Sequence, residues 1–138
     1  MKHYVLGFRY NESGILLIQK SKPDWQKGLW NGLGGSVESG ETSRMAMVRE
    51  FAEESGIETL PAEWVWIAQM NGDDWKMDVY ASHGGFSGLK ESCDEGTLQV
   101  WDHIPHPMER TADWLVGMIT DTSIPEMEVE FHKRRLRR

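Results

Sequence analysis

Three glutamates, Glu50, Glu53 and Glu54, stand at positions i, i+3 and i+4 of the chain. On an α-helix of 3.6 residues per turn those positions share one face. Three carboxylates so close repel one another when ionised, and their pKa values rise unless something neutralises the charge. Only Arg49 stands nearby to do so. A hard divalent cation such as Mg²⁺ or Mn²⁺ is the natural counter-charge, because carboxylate oxygens are its preferred ligands. An acidic helix face by itself is usually only solvated surface. What sets this one apart is the glycine-rich segment that feeds into it. Gly32, Gly34 and Gly35 let a backbone approach a ligand closely, and Gly40 permits a sharp turn before the helix. A loop of that kind against an acidic helix sets a backbone carbonyl beside the carboxylates and leaves room for a diphosphate.

The elements that must position these groups follow from the apolar pattern. Tyr4–Tyr10 and Ile15–Lys20 read as strands joined by the turn Asn11-Glu12-Ser13-Gly14. Ser21–Gly40, rich in Gly and Trp, reads as a structured loop. Thr42–Ser55 reads as a helix: Thr42 or Ser43 caps its start, Ala46, Met47, Phe51 and Ala52 are apolar, and Gly56 ends it. Glu63–Met70 and Trp75–Ser82 read as strands joined across Asn71-Gly72-Asp73-Asp74, where Asn-Gly is a strong hairpin signal. His83–Gly96 reads as a loop and Leu98–Trp101 as a short strand. Ala112–Thr120 reads as a second helix, with Trp114, Leu115, Met118 and Ile119 at core-like spacing. The expectation is one α/β (α+β) domain over residues 1–138, a mixed sheet with helices packed on it.

Composition narrows the class. Of 138 residues, 39% are hydrophobic and 27% charged, the balance of a globular domain. No apolar run approaches the roughly 20 residues of a membrane span. The start, Met1-Lys2-His3-Tyr4, has no signal-peptide layout, so the expected location is cytoplasmic. Cys93 is the only cysteine, which excludes an intrachain disulfide and speaks against a cysteine-based zinc site. The net charge is −7, although Lys133, Arg134, Arg135, Arg137 and Arg138 crowd the end of the chain. The rest is therefore more acidic still, which makes a nucleic-acid partner improbable on charge and suits collection of divalent cations. The basic tail, residues 131–138, reads as a solvated terminus, with an RNA 5′ end as the one nucleic-acid partner it would fit.

The stretch Gly35–Ile57, GSVESGETSRMAMVREFAEESGI, resembles the Nudix box, G-x5-E-x7-R-E-U-x-E-E-x-G-U with U a bulky aliphatic. The matching residues are Gly35, Glu41, Arg49, Glu50, Phe51, Glu53, Glu54, Gly56 and Ile57; Phe51 departs in being aromatic. The Trp-rich lead-in and Trp-Asp-x-Ile-Pro at Trp101–Pro105 extend the resemblance. It implies the Nudix α/β/α sandwich and a Mg²⁺- or Mn²⁺-dependent pyrophosphohydrolase, monomeric or homodimeric. By the same resemblance Glu50 is the base or a metal ligand near the nucleophilic water. Glu53 and Glu54 hold metal, Arg49 orients Glu50, the Gly34 carbonyl is a ligand, and Glu41 braces the loop. A further carboxylate is expected from the later loop: Glu95, with Glu91 and Asp94 as competitors.

The substrate expectation rests on Trp30-Asn31-Gly32-Leu33-Gly34-Gly35, which is similar to the animal-type family members that destroy oxidised purine nucleoside triphosphates. The resemblance places Asn31 at the base, with Trp30 and Gly35 beside the substrate. Those members read the base with two adjacent Asp residues; here the comparable stretch, Met108 to Asp113, offers Glu109 or Asp113 instead. Trp25, Trp30 and Trp75 lie near loops and could stack on a base, whereas Trp64, Trp66, Trp101 and Trp114 read as packing residues. The expected reaction is (d)NTP to (d)NMP and pyrophosphate. The alternatives are another nucleoside diphosphate derivative (a dinucleoside polyphosphate, a nucleotide sugar or an RNA 5′ end) and a silent binding module of the same fold.

Overall fold

The computed structural model describes residues 1–110, 112, 113, 115 and 116. Its strands are β1 (Lys2–Asn11), β2 (Gly14–Lys20), β3 (Trp30–Asn31), β4 (Leu33–Ser36), β5 (Val65–Asn71), β6 (Trp75–His83), β7 (Ser92–Cys93) and β8 (Gly96–Trp101), and one helix, α1 (Ser43–Ser55), lies between β4 and β5. The sheet runs β5-β6-β1-β2-β8-β7. It is mixed: β1 pairs parallel with β6 from Lys2↔Trp75 to Tyr10↔His83, while its other neighbours are antiparallel.

The centre of the sheet explains how the glycine segment is held. Along one edge β1 meets β2 only at Tyr10↔Ile15 and Asn11↔Gly14, and then the two strands part. The gap between them is filled by β3, paired with Ile18 and Gln19 of β2, and by β4, paired with Tyr4 to Gly7 of β1. The expected loop over Ser21–Gly40 is therefore partly strand. Hydrophobic periodicity misses it because β3 and β4 are short and rich in Asn and Gly, residues of low strand propensity. β7 appears within the expected loop His83–Gly96 for the same reason of length. Glu63, expected in a strand, instead ends a 3₁₀ turn over Pro61–Glu63.

Both faces of the sheet are covered. The strand period of two sends Ile15 and Leu17 to one face and Leu16 and Ile18 to the other. On the first they join Leu6, Phe8, Trp30, Val79, Ala112, Leu115 and Val116. On the second they join Ala46, Met47 and Phe51 of α1 with Trp64 and Tyr80. Residues 110, 112, 113, 115 and 116 are helical, so a helix begins on the face opposite α1. The rest of the expected second helix, Trp114 included, and the basic tail lie outside the described residues. Among the described residues, no helix is long and apolar enough to cross a membrane.

The signals that start and stop α1 act as expected. Thr42 accepts a hydrogen bond from Met45 N at 3.1 Å, and Gly56 takes the left-handed conformation, φ 83°, that closes the helix.

Candidate active site

The C-terminal half of α1 packs on β4, and the helix acids are not equivalent there. Glu54 lies on the buried stripe with Met47, Phe51 and Ser55 and is only 5% exposed. The Glu50 side chain is 17% exposed and that of Glu53 is 52%. The single acidic face expected from spacing is thus a gradient from solvent into the protein. Burial, more than the mutual repulsion invoked from spacing, raises the pKa of Glu54 and Glu50. It pushes Glu54 up to about 8, with the Glu50 and Glu95 charges adding and Lys20 opposing. Burial likewise raises Glu50, against the hydrogen bond and charge of Arg49.

Arg49 organises the entrance to the helix. Its Nε and one terminal nitrogen donate to the two Glu41 oxygens, each at 2.9 Å, and that same nitrogen donates to the Ser36 carbonyl at 2.9 Å. The other terminal nitrogen donates to Glu50 at 3.1 Å and to Glu53 at 3.0 Å. A planar guanidinium is suited to this fan of contacts. Glu41 also accepts from Glu38 N at 2.8 Å, so it ties the glycine turn to α1 through Arg49.

Two glycines are demanded by close approach. A Cβ at Gly34 would run into the Val5 carbonyl of β1, and one at Gly35 would run into the Glu50 carboxylate. Gly34 N–H donates to Glu54 Oε1 at 3.0 Å. Gly34 also lines the cleft over the helix acids.

An open cleft of about 540 Å³ lies over this surface, lined by Gly34, Gly35, Glu50, Glu53, Glu54 and Glu95 among others. The later loop therefore does bring Glu95 to the helix acids. Asp94 lines the same cleft, whereas Glu91 is not among its lining residues. Glu95 is also paired with Lys20 at 3.2 Å and Lys22 at 3.6 Å. Spacing gave no signal for Lys20, or for Lys90, which lines the cleft and donates to the Glu53 carbonyl at 2.9 Å.

Among the described residues, no three His, Cys, Asp or Glu side chains surround a common point as metal ligands. Glu50 and Glu53 are turned to Arg49, and Glu54 to Gly34 N–H. The donor chemistry nevertheless fits a hard divalent cation. The donors are oxygens, and the raised pKa values of Glu50 and Glu54 show that their anionic forms lack full compensation.

A second cleft, of about 640 Å³, is lined by Asn31, Gln26, Glu109, Trp25, Trp75, Met70 and Met77 among others. Asn31 and Glu109 share it, and Trp25 and Trp75 offer it aromatic surface. Trp30 is not among the lining residues. Asn31 lines the cleft, whereas Trp30 packs into the core on the same face of the sheet, in one cluster with Leu6, Met70 and Met77. Trp30 is 6% exposed and packs edge to face on Trp101, with centroids 5.1 Å apart. Its ring has no open face for a base, which corrects the stacking role expected for it. Its backbone matters instead: Trp30 O accepts from Glu109 N at 2.9 Å, which seats Glu109 beside Asn31. Gln26 was missed because nothing in its spacing marks it. Trp64 is fully buried as expected, and Trp66 and Trp101 are half-buried.

Known proteins agree with this architecture. Residues 3–111 match the NUDIX domain family. The chain is 49% identical over 89 residues to a CTP pyrophosphohydrolase of Escherichia coli, a match covering 64% of this chain and 61% of that protein. It is 44% identical over 94 residues to an oxidized purine nucleoside triphosphate hydrolase of Danio rerio, covering 66% and 60%. The chain thus spans about three fifths of the length of the curated relatives it matches. Among solved structures, a MutT NUDIX hydrolase from Burkholderia pseudomallei aligns with TM-score 0.73 at 22% identity, covering 86% of this chain and 98% of that one. A bifunctional NMN adenylyltransferase/ADP ribose pyrophosphatase from Francisella tularensis, solved with AMP and a manganese ion, aligns with TM-score 0.71 at 16% identity, covering 86% and 40%. At such identities the structural likeness is one of fold. The family match spans most of the chain and takes in the acidic helix, the glycine strand and both clefts, and the chain belongs to the NUDIX domain family.

Proposed function

We propose that this protein is a divalent-metal-dependent pyrophosphohydrolase that converts a nucleoside triphosphate to the monophosphate and pyrophosphate. The observation that carries this reading is the placement of two clefts on one short segment. Asn31–Ser36 begins at an apolar cleft with polar groups at its wall and ends at an acidic one. A nucleotide has the same two-part chemistry, an aromatic base at one end and a chain of phosphates at the other.

Gly34, Glu50, Glu53, Glu54 and Glu95 are the groups that would hold the metal. When bound, a divalent cation supplies charge neutralisation of the phosphates and a lowered pKa for bound water. Glu50 is anchored through Oε2 by Arg49, which leaves Oε1 as the atom to accept a proton from the attacking water. Its raised pKa moves it toward the range useful to a base at neutral pH. Gly35 permits Glu50 to lie against the glycine strand, where a side chain would displace it. Asn31 and Glu109 orient the base, one able to donate and accept, the other an acceptor when ionised.

The relatives' names point to cytidine and oxidised purine triphosphates, which are the first members of the test panel. That panel comprises nucleoside triphosphates, a dinucleoside polyphosphate, a nucleotide sugar and a 5′-triphosphorylated RNA, each incubated with Mg²⁺ or Mn²⁺. The expected result is turnover of a triphosphate with release of pyrophosphate. Release of single phosphate, or no turnover of any triphosphate with either metal, would overturn the reading.

A further inference from the structure

Taking the cleft around Asn31 as the base pocket of the proposed nucleotide site, we propose that Gln26 is a specificity-determining residue that presents N–H donors to an acceptor atom of the base. The polarity of the Asn31–Gln26 pair is set by a backbone group. Gly32 N lies 2.7 Å from Asn31 Oδ1. A backbone N–H can only donate, so the Asn31 atom facing it must be the amide oxygen. Asn31 Nδ2 is thereby turned to Gln26 and meets Oε1 at 3.2 Å. Gln26 Nε2 is then directed away from Asn31. A glutamine amide that could otherwise turn either way is fixed with its donor end away from Asn31, and Gln26 is among the residues that line the cleft.

The loop that carries Gln26 is pinned, so this orientation is built in. Gln26 N donates to the Pro23 carbonyl and Leu29 N to the Gln26 carbonyl, both at 2.9 Å. Gln19 Nε2 donates to the Gly28 carbonyl at 3.2 Å, and Gly28 N to the Lys20 carbonyl at 2.8 Å, which ties the loop to β2. Asn31 keeps a second N–H beyond the one given to Gln26. The amide pair thus offers donors to the cleft, which Glu109 also lines. Bases differ in where their edges carry carbonyl and ring-nitrogen acceptors or exocyclic amino donors, so a wall of fixed polarity discriminates among them.

The test compares wild type with Gln26→Met and Gln26→Glu on a panel of nucleoside triphosphates and on ribose 5-triphosphate, which has no base. Gln26→Met keeps the length and removes the donor, and should lower kcat/KM for the preferred triphosphate about three- to tenfold, chiefly through KM. Gln26→Glu still accepts from Asn31 but presents a carboxylate oxygen to the base acceptor, and should cost about tenfold or more. Ribose 5-triphosphate should be cleaved alike by all three proteins. An unchanged ranking of bases, or an equal loss on ribose 5-triphosphate, overturns the proposal. If wild type cleaves no nucleotide, the hydrolase reading fails, and nucleoside monophosphates titrated against tryptophan fluorescence take the place of kinetics. Weaker binding by both variants then supports the role of Gln26, and unchanged affinity or no saturable binding overturns it.

Discussion

Replacing Glu54 with Gln should make the metal-free protein more stable and the enzyme inactive. Glu54 is 5% exposed, and burial lifts its pKa from 4.5 to about 8. A carboxyl whose folded pKa lies above its unfolded value contributes most below the unfolded value, and that contribution is lost as pH rises through the folded one. The window here runs from 4.5 to about 8. At pH 7 the loss approaches roughly 3 kcal/mol, at about 1.4 kcal/mol per unit, as an upper bound before the surroundings relax. Glutamine carries no charge and keeps an oxygen to accept from Gly34 N–H. In EDTA, Glu54→Gln should therefore melt higher at pH 7, by as much as roughly 10 °C for a domain of this size. The gap should close as pH falls toward 4.5. Added Mg²⁺ should stabilise wild type more than the variant, by mass action on a site only wild type retains intact. The assay is thermal melting of both proteins across pH, with chelator and with Mg²⁺. A variant no more stable than wild type in EDTA at pH 7, or a gap independent of pH, would refute the reasoning that a carboxyl whose ionisation is opposed by burial is held there for the metal.

Three further outcomes test other parts of the site and fold. Gly35→Ala places a methyl group against the Glu50 carboxylate, and should lower kcat by about 10² or more, the scale of a displaced base, with a smaller effect on melting; unchanged kcat would remove Glu50 from the proton transfer. Asn31→Ala should change the ranking of kcat/KM among bases, at roughly 0.5–1.5 kcal/mol per neutral hydrogen bond, and leave metal dependence alone; an unaltered ranking would reduce Asn31 to a turn residue. Asp78 is buried, which raises its pKa, but hydrogen bonds from Trp66, His3, Gln69 and Ser43 outweigh burial and hold it below the ordinary value. Its stabilising effect is present above the unfolded pKa and lost as pH falls through the folded one. Asp78→Asn should cost about 1–3 kcal/mol at pH 7 and flatten the acid limb of the stability profile, and an unchanged acid limb would contradict this.

The chemistry was legible in the sequence because it is local. Glu50, Glu53 and Glu54 are brought together by helical periodicity alone, Thr42 and Gly56 mark the helix ends, and the glycines precede the helix directly. Strands β1, β2, β5 and β6 were legible because each is long enough for a period of two to show. Tertiary structure decided what depends on contacts distant in the chain. The short β3 and β4 are strands only because β1 and β2 part to receive them. That insertion sends Trp30 into the core and Asn31 to the cleft, a choice that residue type could not make. It also buries Glu54 while leaving Glu53 half in solvent, although the two are adjacent on the helix. Glu95 reaches the acids across at least forty residues of intervening chain, and Gln26 acquires its polarity only by meeting Asn31, whose own amide is oriented by one backbone N–H. Spacing along a helix settles which groups share a face; the packing of β4 against α1 settles which of them lose water, and through that loss their charge and their chemistry.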